Sequence, residues 1–313
     1  MEINNVCVIG GSGFVGRHIV HLLAAQGCRV RVPTRSRERA KQLILLPTVD
    51  VIDANVHNTA ELAELTRGVD AVINLVGVLH DARGELGFEQ AHVELPRKVM
   101  AACLANGVRR YVHMSALGAD VSGPSGYQRT KGAAERLVRA SNLDWTIFRP
   151  SVIFGPDDNF LNLFALLLKL APVMFLASPS ARFQPVYVED VAQAFVHSLT
   201  DLATYGKSYD LCGPKVYTLR ELVELVGSIT SHRRPIIGLN DTLSYLQAFS
   251  LELLPIKLMT RDNYYSMKVD NVSGQPFPFG ITPAAIEAVV PTYLGDDSPR
   301  ARYRSYRDRA GRD

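Results

Sequence analysis

The run Val6-Cys7-Val8-Ile9-Gly10-Gly11-Ser12-Gly13-Phe14-Val15-Gly16 constrains this chain more than any other. An apolar strand ends at Gly10, and glycines follow at G-x-x-G-x-x-G spacing. A segment from Phe14 to Gln26 then carries Ile19, Val20, Leu22 and Leu23. Gly10 permits a tight turn, Gly13 lets backbone N–H groups approach a pyrophosphate, and Gly16 allows the helix to pack close to the strand. The helix start offers unpaired N–H donors and a positive dipole end to an anion. Between a strand and a helix, this spacing predicts a dinucleotide site.

Alternation continues beyond the turn. Strands are predicted at Asn5–Ile9, Arg29–Pro33, Val49–Asp53, Ala71–Val76, Arg110–Met114 and Asp144–Phe148, several of them nearly continuous apolar runs. Such runs suit parallel strands covered on both faces. Helical patterns fall between them at residues 37–45, 59–67, 90–106 and 127–141. Asn58 is expected as an N-cap with Glu61 as its capping-box partner, and Asn106-Gly107 as a helix stop. The fold class expected is α/β, a Rossmann-type doubly wound parallel sheet. After Pro150 the rhythm changes, with a helix at 189–199, a strand near 208–212, and a helix at 219–228 capped by Thr218. The expected organisation is an NAD(P)-binding domain at 1–150, a smaller substrate lobe at 151–294 interleaved with it, and a disordered charged tail at 295–313.

Composition narrows the partners. The chain has 313 residues and a net charge of +3. That total hides +5 over residues 29–41, +2 over the tail and −4 elsewhere. A nucleic-acid binder would spread basic charge over its body, so no nucleic-acid partner is expected. Cys7, Cys28, Cys103 and Cys212 are scattered, which predicts reduced thiols and no metal site. No basic-then-apolar leader precedes the first strand, and a cytoplasmic location is expected.

Two further clusters carry chemistry. At the end of the second strand, where NAD-selective folds place an acid, stands Thr34-Arg35-Ser36-Arg37. The Arg35 guanidinium suits a 2′-phosphate, and Thr34 adds a hydroxyl, so NADP (NADPH) is expected over NAD. Tyr127 and Lys131 stand i,i+4 on one predicted helix, which places phenol and ammonium on one face. The cation is expected to lower the tyrosine pKa toward an acid/base range, and the lysine to reach a ribose hydroxyl.

Together these features resemble the short-chain dehydrogenase/reductase family, in its extended and atypical branches. Arg149-Pro150-Ser151-Val152-Ile153-Phe154-Gly155-Pro156 and Pro185-Val186-Tyr187-Val188-Glu189-Asp190-Val191-Ala192 add to the likeness. The resemblance implies that Gly10, Gly13, Phe14 and Val15 cradle the pyrophosphate. It implies further that Asp53 and Ala54 flank the adenine, that Val76 and Gly77 line the ribose side, and that the Pro150–Val152 loop passes the nicotinamide. His113-Met-Ser-Ala-Leu-Gly118 and Asp157-Asp-Asn-Phe160-Leu161 are closest to the branch containing the NAD(P)H-binding accessory subunit of respiratory complex I and its bacterial relatives. Extended members carry a catalytic Ser or Thr one residue beyond Ser115; here Ala116 stands there. Ser115, Ser122 and Ser125 are the candidate substitutes.

Two apolar stretches, at 160–176 and 243–259, are interrupted by charges and prolines. They predict a greasy lobe, a homodimer seam, a hydrophobic substrate pocket or a surface resting on lipid. Two functions stay open. One is an NADP-dependent oxidoreductase or epimerase-like enzyme, with Tyr127 as acid/base, Lys131 beside it and Ser115 as polariser. Its small-molecule substrate would be a hydrophobic, quinone- or isoprenoid-like carbonyl. The other is a catalytically weak NADPH-binding structural or redox-sensing module in a complex I-like respiratory assembly, peripheral at the inner face of a membrane. Isolated histidines (His18, His21, His80, His92, His113) are expected to be surface or core residues without metal spacing, and Trp145 a core residue.

Overall fold

A computed structural model describes residues 3–82, 84, 87–254 and 258–295. The chain forms two units. The first comprises residues up to Pro150, Glu189–Leu211 and Pro278–Ile281, and the second Ser151–Val188, Cys212–Phe277 and the residues from Thr282 onward. The expected tail lies outside the described residues from Asp296 onward.

The first unit is built on a seven-stranded parallel sheet. Its strands are β1 (Asn5–Ile9), β2 (Arg29–Thr34), β3 (Val49–Asp53), β4 (Ala71–Asn74), β5 (Arg110–Met114), β6 (Asp144–Pro150) and, from later in the chain, β11 (Lys207–Leu211). Their order is β11-β6-β5-β4-β1-β2-β3. The expected lobe is therefore interrupted, because residues 189–211 return to add helix and strand to the first sheet; β11 pairs with β6 from Lys207↔Thr146 to Leu211↔Pro150. Central strands are buried on both sides, as Val6, Cys7, Val8 and Ile9 all are. One face is filled by α3 (Thr59–Thr66) and α4 (Leu95–Ala105), whose Leu62, Leu65, Val99 and Cys103 join Cys7, Ile9, Val72, Tyr111 and Ile147 in one core. The order reverses between β1 and β4, and in such sheets the ligand crevice opens at that switch, at the strands' carboxyl ends.

Local chemistry explains where the elements start and stop. Asn58 caps α3, accepting from the Ala60 and Glu61 N–H groups. Glu61 does not close the expected capping box; its carboxylate reaches past Asn58 to the Asn55 N–H at 2.7 Å. Gly107 ends α4 with φ +73°, a conformation that needs glycine. The expected helix at 37–45 is a 3₁₀ turn, Arg37–Ala40, running into the short α2 (Lys41–Ile44). The expected helix at 90–106 begins with a π turn, Gln90–Glu94, before α4. Helix α1 (Phe14–Ala25) buries Val15, Gly16, Ile19, Val20 and Leu23.

The second unit holds three two-stranded ladders. Parallel β7 (Ile153–Phe154) pairs with β10 (Val186–Tyr187), antiparallel β9 (Arg182–Phe183) with β12 (Tyr217–Thr218), and parallel β8 (Met174–Leu176) with β13 (Ile236–Gly238). Helices α6 (Leu161–Leu170) and α8 (Leu219–Ile229) fill its core with Leu161, Leu168, Leu222, Val223 and Val226. Thr218 and Glu221 form a capping box at the start of α8. Buried Asp158 accepts from Gly155, Phe160 and Leu161 N–H groups and from the Tyr293 hydroxyl, so this motif residue caps α6. Among the described residues no helix is long and apolar enough to cross a membrane.

Candidate functional site

The glycine turn sits where the switch point predicts. Gly10 has φ +86°, and a Cβ there would stand 3.3 Å from Leu75 and Val76, the residues following β4. A Cβ on Gly16 would come within 2.6 Å of Gly11 Cα, so helix and turn touch only because position 16 is bare. α1 starts at Gly13 with no side-chain cap, leaving its first N–H groups for an anion. Phe14 is half-buried and Val15 buried beneath that turn.

The turn is tied to the end of β2. Ser12 Oγ donates to Thr34 Oγ1 at 3.3 Å, and the buried Thr34 hydroxyl donates to Ser36 O at 3.1 Å. Ser12 lies inside the motif, yet sequence reasoning gave it no role; only the fold brings it to Thr34. Arg35 is exposed immediately beyond, with no ion pair among the described residues. Asp53 is the register partner of Thr34, and Ala54 N–H donates to Thr34 O at 3.1 Å. Thus Gly10, Gly13, Gly16, Thr34, Arg35, Asp53 and Ala54 gather at one sheet edge.

Helix α5 (Gly126–Arg139) carries the other cluster. A capping box between Ser125 and Gln128 starts it, so Ser125 serves the helix. Ser122 donates to Asp120 Oδ1 in an exposed turn. Ser115 is 3% exposed, and its hydroxyl has no hydrogen-bond partner. Ser125 and Ser122 are thus engaged by the helix start and by Asp120, while Ser115 is buried just beyond β5. Lys131 is 2% exposed and donates to Met114 O at 3.1 Å. A Cβ on Gly77 would lie 3.1 Å from its Nζ, so Gly77 leaves room for the ammonium beside half-buried Val76. Burial lowers Lys131 to about 8.

Tyr127 corrects an expectation. Its phenol is pushed up to about 12 by burial, with no lowering from Lys131. The lysine spends its hydrogen bond on Met114 O, and desolvation of the phenolate wins. Tyr127 is packed edge-on against Phe88 and His92, with centroids 6.0 and 5.4 Å away. A cleft of about 410 Å³ beside this helix start is lined by Asp81, Phe88, Gln90, Gly126, Arg129 and Thr130 among others.

His92, a core residue without metal spacing, links the loop after β4 to α5. It is buried in the π turn; Val78 N–H donates to its Nε2 at 3.1 Å, so Nδ1 carries the proton and donates to Thr130 Oγ1 at 3.0 Å. Burial lowers it to about 2, and it is a neutral latch between the loop after β4 and α5. Its sequence signal is nil, because loop, π turn and α5 meet only in space. His18 likewise is no free surface residue: its Nδ1 lies 2.7 Å from Glu189 Oε1 within the first unit. At the end of β6, Arg149 makes a two-pronged pair with buried Glu135 of α5, the Nε bond at 2.7 Å. Pro150 ends β6 in the first unit; Val152 belongs to the second, where its carbonyl accepts from Val186 N–H.

A glycine turn at the switch point, a bare helix start and a buried lysine facing Gly77 fit a dinucleotide, and they define an NAD(P)H-binding protein of the doubly wound class. A family model described as NAD(P)H-binding matches residues 10–163, and that of the 3-beta hydroxysteroid dehydrogenase/isomerase family matches residues 120–221. The mitochondrial NADH-ubiquinone oxidoreductase 40 kDa subunit of Neurospora crassa is 30% identical over 307 residues, 95% of this chain and 80% of that protein. The ceramide reductase of Caulobacter vibrioides is 33% identical over 192 residues, 61% of this chain and 59% of that enzyme. A nucleoside-diphosphate-sugar epimerase from Staphylococcus aureus shares the fold, with a TM-score of 0.70 at 17% identity, covering 90% of this chain and 98% of that one. The chain belongs to the atypical short-chain dehydrogenase/reductase family, in the branch that holds the 40 kDa subunit of NADH-ubiquinone oxidoreductase.

Proposed function

We propose that this protein binds NADP(H) at the carboxyl edge of its first sheet and reduces the carbonyl of an apolar substrate. The observation that carries the reading is the buried Lys131 ammonium, held at Met114 O and facing the space that Gly77 leaves open. Gly10, Gly13, Gly16, Phe14 and Val15 would hold the pyrophosphate, and Asp53, Ala54, Val76 and Gly77 the adenosine and ribose edges. Pro150, at the end of β6, would flank the nicotinamide. Arg35, exposed and without an ion pair among the described residues, and the Thr34 hydroxyl beside it support the phosphorylated cofactor over NAD. When bound, the cofactor supplies a hydride. Tyr127 holds its proton at neutral pH because burial raises it to about 12. Such a phenol suits donation to the alkoxide that develops as a carbonyl is reduced, and suits proton abstraction poorly.

An apolar substrate agrees with the name of the Caulobacter reductase. It also agrees with the second unit, where helix α9 (Asp241–Glu252) turns Leu243, Leu246 and Phe249 outward and Phe175 and Ile237 are exposed on paired strands. Exposed Lys169, Arg233 and Arg234 in the same unit favour contact with an anionic membrane surface.

A second reading is a cofactor-holding subunit of a respiratory assembly that does little chemistry. Ala116 and the buried, inward Ser115 favour it, since no hydroxyl stands ready to polarise a carbonyl. A panel of long-chain ketones and quinones, assayed with NADPH in wild type and Tyr127→Phe, separates the two. Turnover lost in the variant while NADPH still binds supports the enzyme. Equal turnover refutes the role of Tyr127, and no turnover in either favours the subunit.

A further inference from the structure

His113 lies on β5 and Ser115 one residue beyond its end, where the Ser115 N–H still donates to Phe148 O of β6 at 2.7 Å; the ladder continues, and the two side chains leave one face about 7 Å apart. They are 1% and 3% exposed, and each ends in a buried polar atom with no partner among the described residues, Nε2 of His113 and Oγ of Ser115.

The other side of the His113 ring determines where its proton lies. Val76 N–H donates to Asn74 Oδ1 at 3.2 Å, which turns Asn74 Nδ2 to donate to the Tyr111 hydroxyl at 3.1 Å. The Tyr111 oxygen is thereby an acceptor. Its single proton goes to its remaining hydrogen-bond neighbour among the described residues, His113 Nδ1 at 3.3 Å. With Nδ1 accepting, the ring proton sits on Nε2, a donor buried without an acceptor. Burial, reinforced by the Lys131 charge, lowers His113 to about 3, so the ring stays neutral and keeps that tautomer.

Lys131 completes the set. Its ammonium donates to Met114 O, the carbonyl lying between His113 and Ser115 in sequence. A buried donor left without an acceptor is costly, because it has given up water and gained nothing in exchange. Two such orphans, on the residues either side of the one whose carbonyl takes the ammonium, provide the two to four polar partners that an internal water needs.

We propose that His113 Nε2–H, Ser115 Oγ and Lys131 Nζ hold one internal water at the carboxyl end of β5. The water accepts from His113 and from Lys131 and donates to Ser115. It gives the ammonium an acceptor besides Met114 O and steadies it across Gly77. Asn74 and Tyr111 select the histidine tautomer that makes the site. His113 is then a positioning residue for Lys131, and Ser115 is committed inward to the water. The site requires no bound cofactor and no turnover, so it stands or falls apart from the function proposed above.

The test is nuclear magnetic resonance on the whole chain with ¹⁵N-labelled histidine, the His113 signals being those lost in His113→Asn. The wild type is expected to show the Nε2–H tautomer, with a cross-peak between that proton and water. Ser115→Ala removes one partner and is expected to speed the proton's exchange with solvent, and Tyr111→Phe to give a mixture of tautomers. In ¹³C-lysine-labelled protein, His113→Leu is expected to lower the Lys131 titration midpoint below that of the wild type. An Nδ1–H tautomer or a missing water cross-peak in the wild type, which needs no variant to fold, overturns the site. An unmoved Lys131 midpoint overturns the positioning role.

Discussion

The two units of this chain distribute polarity in opposite ways. The first buries its ionisable groups: His92, Arg110, His113, Lys131 and Glu135 are each 2% exposed or less. Its exposed large apolar side chains are few and scattered, such as Leu45, Leu104 and Leu202. The second unit buries mainly small polar groups and a capping aspartate, while Leu166, Leu170, Phe175, Ile237, Leu243, Leu246 and Leu253 are exposed. Helix α9 shows this inversion most clearly, with Ser244 and Ala248 inward and Leu243 and Leu246 outward. Burying an ionisable group is expensive, so a unit retains one where it is paired or used. An exposed apolar face, in turn, marks a surface that meets something apolar.

This contrast can be broken at either end. Gly16→Ala should have the largest effect on binding, because its Cβ would overlap the Gly10–Gly11 turn. The expected loss is more than about 100-fold in NADPH affinity, roughly 2.7 kcal/mol, by calorimetry. Affinity within a few-fold of wild type would mean that the turn is not the site. Glu135→Ala should follow. It strips the buried partner from Arg149 and Arg139, and urea melts should show a loss of about 3 kcal/mol. A loss below about 1 kcal/mol would show that the buried charges of the first unit are not held by pairing.

Lys131→Met should act in the opposite direction. The folded lysine titrates at about 8, below its ordinary 10.5, so folding disfavours its charged form. The unfolded chain binds more protons between those values, and wild-type stability should rise as pH climbs from about 8 toward 10.5. The variant should therefore be more stable by about 2 kcal/mol at pH 7, an advantage that shrinks by pH 10. A pH-independent difference would contradict the burial argument. The smallest effect on folding belongs to Leu246→Glu on α9, expected within about 0.5 kcal/mol. The same variant should lose most of its co-sedimentation with phosphatidylglycerol vesicles. Unchanged vesicle binding would remove the lipid reading of the second unit.

Much of the first unit was legible because its signals are local. The bounds of β1, β3 and β5 fall where apolar runs meet glycines and polar residues, and the glycine turn predicted both the switch point and its ligand class. What the sequence hid is non-local. β11 reads as part of the lobe, since nothing in Lys207–Leu211 announces that it will join β6 some sixty residues back. The π turn and the His92 latch arise from the meeting of three separated segments. The Tyr127–Lys131 spacing was correct, but spacing does not report burial, and burial raised the phenol instead of lowering it. Ser115, the candidate replacement for the hydroxyl absent at Ala116, is buried just beyond β5, which its place in the sequence does not announce.

In the proposed function, the first unit is an NADP(H) site read by Arg35. The most direct measurement is a calorimetric titration of NADPH and NADH into wild type and Arg35→Ser. NADPH should bind about tenfold or more tightly than NADH, and Arg35→Ser should abolish that preference while leaving NADH affinity unchanged. Equal or tighter binding of NADH by the wild type would contradict it.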